Sequence, residues 1–154
     1  MSRFKKSVVP IAAPLVGLGF VSLFFLMSSP QWGAPGTEAY RIYEARNRLL
    51  PVSMMLIAIG LVAVYLPLRT VLGSLGRLGF VVSLIGVALM LAGNIAEFWL
   101  FSDQPYGQVN PRAMAWSSFL FGALLLVVGL TIFVVSVARR KQVPSGPVSS
   151  SPAP

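Results

Sequence analysis

Four long apolar runs, joined by short polar connections, dominate the 154-residue chain: Val8 to Met27, Leu49 to Leu68, Leu78 to Phe101 and Ala113 to Ala138. Among them only Glu97 carries a formal charge. A helix rising about 1.5 Å per residue needs roughly 20 apolar residues to cross a hydrocarbon layer about 30 Å thick. Barrel strands would alternate and be about half as long, so the continuous runs predict helices near 8–28, 49–68, 78–101 and 111–138. The expected fold is all-α: an integral membrane protein with a four-transmembrane-helix antiparallel bundle and a short interfacial helix in the first outer loop.

The first run follows Arg3, Lys5 and Lys6, an arrangement shared with signal peptides. It exceeds the usual signal core of about 7 to 15 residues, and Ser28-Ser29-Pro30 offers no small-x-small cleavage site. A retained helix is therefore expected, with Pro10 tolerated near its start and Pro14 bending it.

The connections differ in character. Arg69 to Arg77, with Gly73 and Gly76, makes a tight loop that forces the second and third helices to be antiparallel neighbours. Ser102 to Asn110 is also short, with Asn110 placed as an N-cap and Pro111 as the first residue of the fourth helix. The longest, Ser28 to Arg48, begins with the irregular SSPQWGAPG and continues from Thr37 to Leu50 as a short helix. Thr37 is its cap, and Glu44 and Arg48 pair one turn apart. Tyr40, Tyr43, Asn47 and Leu50 share one face, which suits a helix lying on the outer bilayer surface or a platform for a partner. Pro51 is expected to bend or break the chain where this helix meets the second run. Residues 1–141 then form a single domain, and the Pro/Ser-rich residues 142–154 are expected to be a disordered cytoplasmic tail.

Membrane helices associate through close backbone approach at small residues, because lipid tails are as apolar as leucine. The third run carries Gly79, Ser83, Gly86, Met90, Gly93 and Glu97 at alternating spacings of four and three, a heptad seam. The fourth carries Ser118, Gly122, Gly129 and Ser136 at spacings of four and seven. These stripes predict close packing of the third helix on the fourth, with a left-handed, shallow crossing. Ser53 with Gly60, and Ala13 with Gly17, are weaker versions in the other two helices.

Composition agrees with a lipid solvent: 56% of residues are hydrophobic and 10% charged, and mean hydropathy is +0.80. The net charge of +8 does not point to nucleic acid, because the basic residues flank apolar runs instead of lining one soluble face. Their distribution sets the expected orientation. With the N-terminus inside, Arg3, Lys5, Lys6, Arg69, Arg77, Arg139, Arg140 and Lys141 are cytoplasmic, against Arg41, Arg46, Arg48 and Arg112 outside, eight to four. Both termini are thus expected on the cytoplasmic side of a cell membrane. Trp32, Trp99 and Trp116, with Tyr40 and Tyr43, fall at the outer interface as aromatic anchors.

The chain has no cysteine and no histidine. Disulfides, thiolate metal sites, imidazole-ligated haem and histidine proton relays are excluded. No metal site, cofactor or catalytic constellation is expected, and so no enzyme.

Glu97 is the conspicuous polar residue. It lies about seven residues, roughly 10 Å, beyond the midpoint of its helix and so only about 5 Å below the outer hydrocarbon edge. Asn94 precedes it by one turn, and Arg112 opens the facing helix. One reading is a polar clasp of Glu97, Asn94 and Arg112 that staples the third and fourth helices. The other is an outward-facing cavity in which Glu97 and Asn94 bind a proton, cation or amine. The first suits a non-catalytic accessory, assembly or interaction subunit that contacts another membrane protein or its own copies; the second suits a small oligomeric transporter or channel.

Overall fold

The computed structural model describes residues 2–28, 36–104 and 110–141, with side chains over 14–28, 36–104 and 110–139. The described residues are helical, with no strand among them. Helix α1 spans Ser2–Met27, α2 Glu38–Asn47, α3 Leu50–Leu68, α4 Ser74–Ile95 and α5 Pro111–Lys141; α4 runs directly into a π turn, Ala96–Leu100. Trp32 and the tail beyond residue 141 lie outside the described residues.

Among the described residues, three stretches are long and apolar enough to cross a membrane: Glu38–Leu68, in which α2 leads into α3, Ser74–Leu100, and Pro111–Arg139. In α1 the side-chain description covers the apolar but shorter Pro14–Met27. Large apolar side chains face outward all along these helices, among them Phe24 and Phe25 of α1, Val52 and Ile59 of α3, and Leu120, Phe121, Leu124 and Val127 of α5. Water would not tolerate so continuous an apolar exterior on a monomeric soluble domain.

The helices form two pairs, α1 against α3 and α4 against α5, joined where α3 meets α4. Residues 69–73 connect α3 to α4, and Arg77 donates back to the Arg69 carbonyl at 3.3 Å, holding the turn closed. Between α3 and α4 the Tyr65 ring stacks on Phe80, with centroids 3.8 Å apart, and Phe80 in turn meets Phe133 of α5. Tyr65 is therefore a packing residue between helices.

The α4–α5 pair is backbone on backbone. A methyl group placed on Gly86 would lie 2.5 Å from the Leu126 nitrogen and 2.6 Å from the Gly122 carbonyl oxygen, and one on Gly122 would lie 2.6 Å from the Gly86 oxygen. The same relation links Gly79 with Gly129, and Gly93 with the Ala115 carbonyl. As α4 advances from residue 79 to 86 to 93, α5 retreats from 129 to 122 to 115, which fixes an antiparallel register with a seven-residue repeat on both helices. Ser83 sits in this seam fully buried, its hydroxyl donating to the Gly79 carbonyl at 2.8 Å, and Ser136 packs where a Gly76 side chain would be.

Two positions differ from the expected stripes. Ser118 is only half-buried and donates to the Met114 carbonyl of its own helix; the seam position belongs to Ala115, one heptad before Gly122. In α1, Gly17 has no atom within 4 Å of its missing side chain, whereas one on Gly19 would meet Ile57 at 2.7 Å and the Ser53 carbonyl at 3.0 Å. Beside Gly19, the Ser22 hydroxyl donates to Ser53 at 2.8 Å. Small residues mark seams by which face they occupy, and Gly17 is on the wrong face.

Candidate functional site

The polar residues collect at the end of the bundle where α2 sits. Thr37 caps α2, accepting the Tyr40 N–H at 3.3 Å, and Glu44 pairs with Arg48 at 3.1 Å. Between α2 and α3 the chain keeps right-handed helical dihedrals, and the Leu49 and Val52 amides bond three residues back. Pro51 has no N–H to offer the Asn47 carbonyl, so the helix tightens there for one turn without a sharp break.

The tyrosine face of α2 turns into the protein, not onto lipid. Asn47 and Leu50 are buried, Tyr43 meets Phe98 edge to face with centroids 5.8 Å apart, and the Tyr40 hydroxyl accepts from Arg112 at 2.7 Å. The opposite face, with Glu38, Arg41, Ile42 and Ala45, is exposed. α2 is thus a cap over the mouth of the bundle. Tyr40 and Tyr43 stand here as contacts within the protein.

Two arginines tie this cap down. Arg48 donates from Nε to the Phe98 carbonyl at 3.1 Å, and its guanidinium lies 5.7 Å from the Trp99 ring centre. Arg112 is buried and donates to the carbonyls of Ser102 at 2.8 Å and Gln104 at 3.0 Å as well as to Tyr40. One cation therefore joins α5, the turn after α4 and α2. Asn110 accepts the Ala113 amide at 2.8 Å, and Pro111 opens α5, which sets the first turn that carries Arg112.

The π turn ends α4 at the same level. Its Phe101 amide bonds to the Ala96 carbonyl at 2.9 Å, five residues back. Such turns occur often at functional sites. Here the local widening leaves the Phe98 carbonyl to Arg48, while Glu97 and Phe98 both point inward, 2% and 1% exposed. Glu97 and Tyr43 line one cavity, and Arg112 bonds to Tyr40, whose ring neighbours that of Tyr43, so the three groups share one neighbourhood.

Asn94 lies one turn deeper and is 1% exposed. Neither its amide nitrogen nor its amide oxygen has a hydrogen-bond partner among the described residues. It faces a partly enclosed cavity of about 50 Å³ lined by Met27, Tyr43, Asn47, Leu50, Asn94, Glu97, Phe98, Trp116 and Phe119. Trp116 stacks on Phe119 in this wall, with centroids 5.5 Å apart, whereas Trp99 is more than half exposed, as an interface anchor would be.

The structure thus gathers Asn94, Glu97 and Arg112 into one end of the molecule and adds Tyr40, Tyr43, Asn47 and Met27, which the sequence did not associate with them. The spacing of Tyr40, Tyr43 and Asn47 was a usable signal; its direction was not, because the same face suits a lipid interface. Among the described residues no group of three histidine, cysteine, aspartate or glutamate side chains is placed to hold a metal. In comparison with known proteins, no family model, no curated protein and no solved structure matches this chain.

Proposed function

We propose that this is a four-span protein of the cell membrane, with both termini cytoplasmic, that serves as a non-catalytic accessory, assembly or interaction subunit and engages another membrane protein through the exposed face of α2. The spans are α1, α3, α4 and α5, with α2 held at the outer surface. The length of α1 and the eight-to-four distribution of basic residues support this placement.

The observation that carries the reading is the way α2 is fixed. Arg112, Arg48 and the Tyr43–Phe98 contact hold its inner face rigidly on the bundle, while Glu38, Arg41, Ile42 and Ala45 point outward. A preorganised helix presenting charged and apolar groups loses little conformational freedom on docking. Beneath the cap, the interior is closed by Met90, Val87, Leu126, Phe80 and Phe133, together with the backbone contacts at Gly86 and Gly79. That closure favours an interaction role over conduction.

Extraction in a mild detergent followed by native mass analysis tests the proposal. A stoichiometric protein partner is expected, and Ile42→Asp together with Arg41→Glu should release it while leaving the bundle folded. Recovery of the chain alone, or only with copies of itself, would overturn the reading.

One observation favours a second reading, a small oligomeric transporter or channel: the unpartnered Asn94 amide beside Glu97 in a cavity. On that reading Glu97→Gln leaves the fold intact and abolishes uptake of a proton, cation or amine into proteoliposomes.

A further inference from the structure

A buried amide with both of its atoms unpaired carries a desolvation cost that a native structure seldom leaves uncompensated. Asn94 bears that cost at the wall of a cavity. We infer that this cavity is a binding site for a small neutral hydroxyl-bearing group, of the kind found in a glycerol-type lipid headgroup or a free polyol.

The chemistry follows from what the amide offers. Asn94 presents one acceptor and two donor hydrogens. An ammonium group satisfies only the oxygen, and an anion satisfies only the nitrogen. A hydroxyl donates to the one and accepts from the other, and a second hydroxyl on a neighbouring carbon reaches the Glu97 side of the same wall. The remaining lining, Met27, Leu50, Phe98, Trp116 and Phe119, suits the carbon skeleton.

Size agrees. A single water needs roughly 10–15 Å³ on this scale, so about 50 Å³ takes the end of a vicinal diol and excludes a sugar or a drug-sized molecule. The entrance also fits. Asn47, Leu50, Asn94, Glu97, Phe98 and Phe119 are buried, whereas Met27 is 47% exposed and Tyr43 and Trp116 are half-buried. The mouth therefore lies among the end of α1, α2 and the second turn of α5. Its rim thus joins three elements at the polar end of the bundle. Once the membrane placement proposed above is granted, this rim lies near the outer hydrocarbon edge, close beneath the lipid headgroups, with Asn94 about one turn deeper; the cavity and its chemistry do not depend on that placement.

Delipidated protein, incubated with phosphatidylglycerol, phosphatidic acid, phosphatidylethanolamine and phosphatidylcholine of matched chains, is read by native mass spectrometry. Phosphatidic acid controls for attraction of any anionic lipid to the arginines. Retention of phosphatidylglycerol over the other three by at least about fivefold is expected, the ratio one net neutral hydrogen bond supports. Asn94→Leu and Met27→Trp, the second of which blocks the mouth without touching the amide, should each abolish that preference. If phosphatidylglycerol shows no preference but glycerol raises the unfolding temperature of the wild type and not of Asn94→Leu, the hydroxyl site stands and its natural occupant is a free polyol. Preference for phosphatidylethanolamine, equal retention of phosphatidylglycerol and phosphatidic acid without a glycerol effect, or indifference to both substitutions would overturn the inference. None of these outcomes depends on whether α2 binds a partner.

Discussion

Substituting Gly86 by alanine tests the backbone seam most sharply, because the same substitution at Gly17 supplies an internal reference. Both changes remove a glycine from a helix and so gain the same propensity term, about 0.5–1 kcal/mol. At Gly17 the new methyl meets nothing within 4 Å. At Gly86 it falls 2.5 Å from the Leu126 nitrogen, 2.6 Å from the Gly122 oxygen and 2.9 Å from the Leu126 Cα, all main-chain atoms that cannot rotate away. Ordinary contact begins near 3.4 Å, so α4 and α5 must part by about 1 Å, a gap that forfeits a quarter to a half of each affected dispersion contact. Overpacking of this kind costs about 1–3 kcal/mol, and contacts that are wholly backbone place Gly86 at the upper end. Unfolding followed by tryptophan fluorescence across a titration of mixed micelles with a denaturing detergent should show Gly86→Ala less stable than Gly17→Ala by about 3 kcal/mol, with Gly17→Ala at or above the wild type. Equal stability of the two variants would refute the interlocked seam.

Removing Arg112 withdraws a buried charged donor from two carbonyls and Tyr40, so Arg112→Ala should cost about 1.5–3 kcal/mol in the same titration. The more exposed Arg48→Ala should cost clearly less, even though it also bonds to Phe98. If Glu97 and Arg112 act as one polar clasp, Glu97→Gln combined with Arg112→Ala should destabilise by less than the two single changes added together; strict additivity would separate them. Asn110→Ala removes the cap on the Ala113 amide and should cost about 1 kcal/mol, with amide exchange rising only in the first turn of α5. Asn94→Leu replaces an unpaired buried amide by a hydrocarbon of similar volume, so the lipid-free protein should be at least as stable as the wild type.

Much of the helical pattern is legible without coordinates because lipid-length apolar runs, capping residues and proline positions are local properties. Thr37, Asn110 and Pro111 start their helices where short-range hydrogen bonding alone requires, and the α4 glycines at 79, 86 and 93 mark their seam by spacing. The seam on α5 was partly misplaced because alanine is too common in such helices to stand out, so Ala115 yielded to Ser118. Gly17 was singled out where Gly19 makes the contact for a related reason: two small residues two positions apart lie on different faces, and nothing local says which face meets α3. The polar end was hardest. A tyrosine-bearing face is equally suited to lipid headgroups and to a buried contact, and the choice depends on Arg112, 72 residues away from Tyr40. The π turn at Ala96–Leu100 has no local signature, yet it leaves the Phe98 carbonyl to be met by Arg48.

The central claim is a four-span protein with α2 outside, and the absence of cysteine makes it directly measurable. Single cysteines introduced at Glu38, Thr70, Asp103 and Val143 are each labelled with a membrane-impermeant maleimide in intact cells and again after permeabilisation. The account predicts labelling of positions 38 and 103 in intact cells, and of 70 and 143 only once the membrane is opened. Labelling of 38 and 70 from the same side would contradict it, as would labelling of 143 from outside.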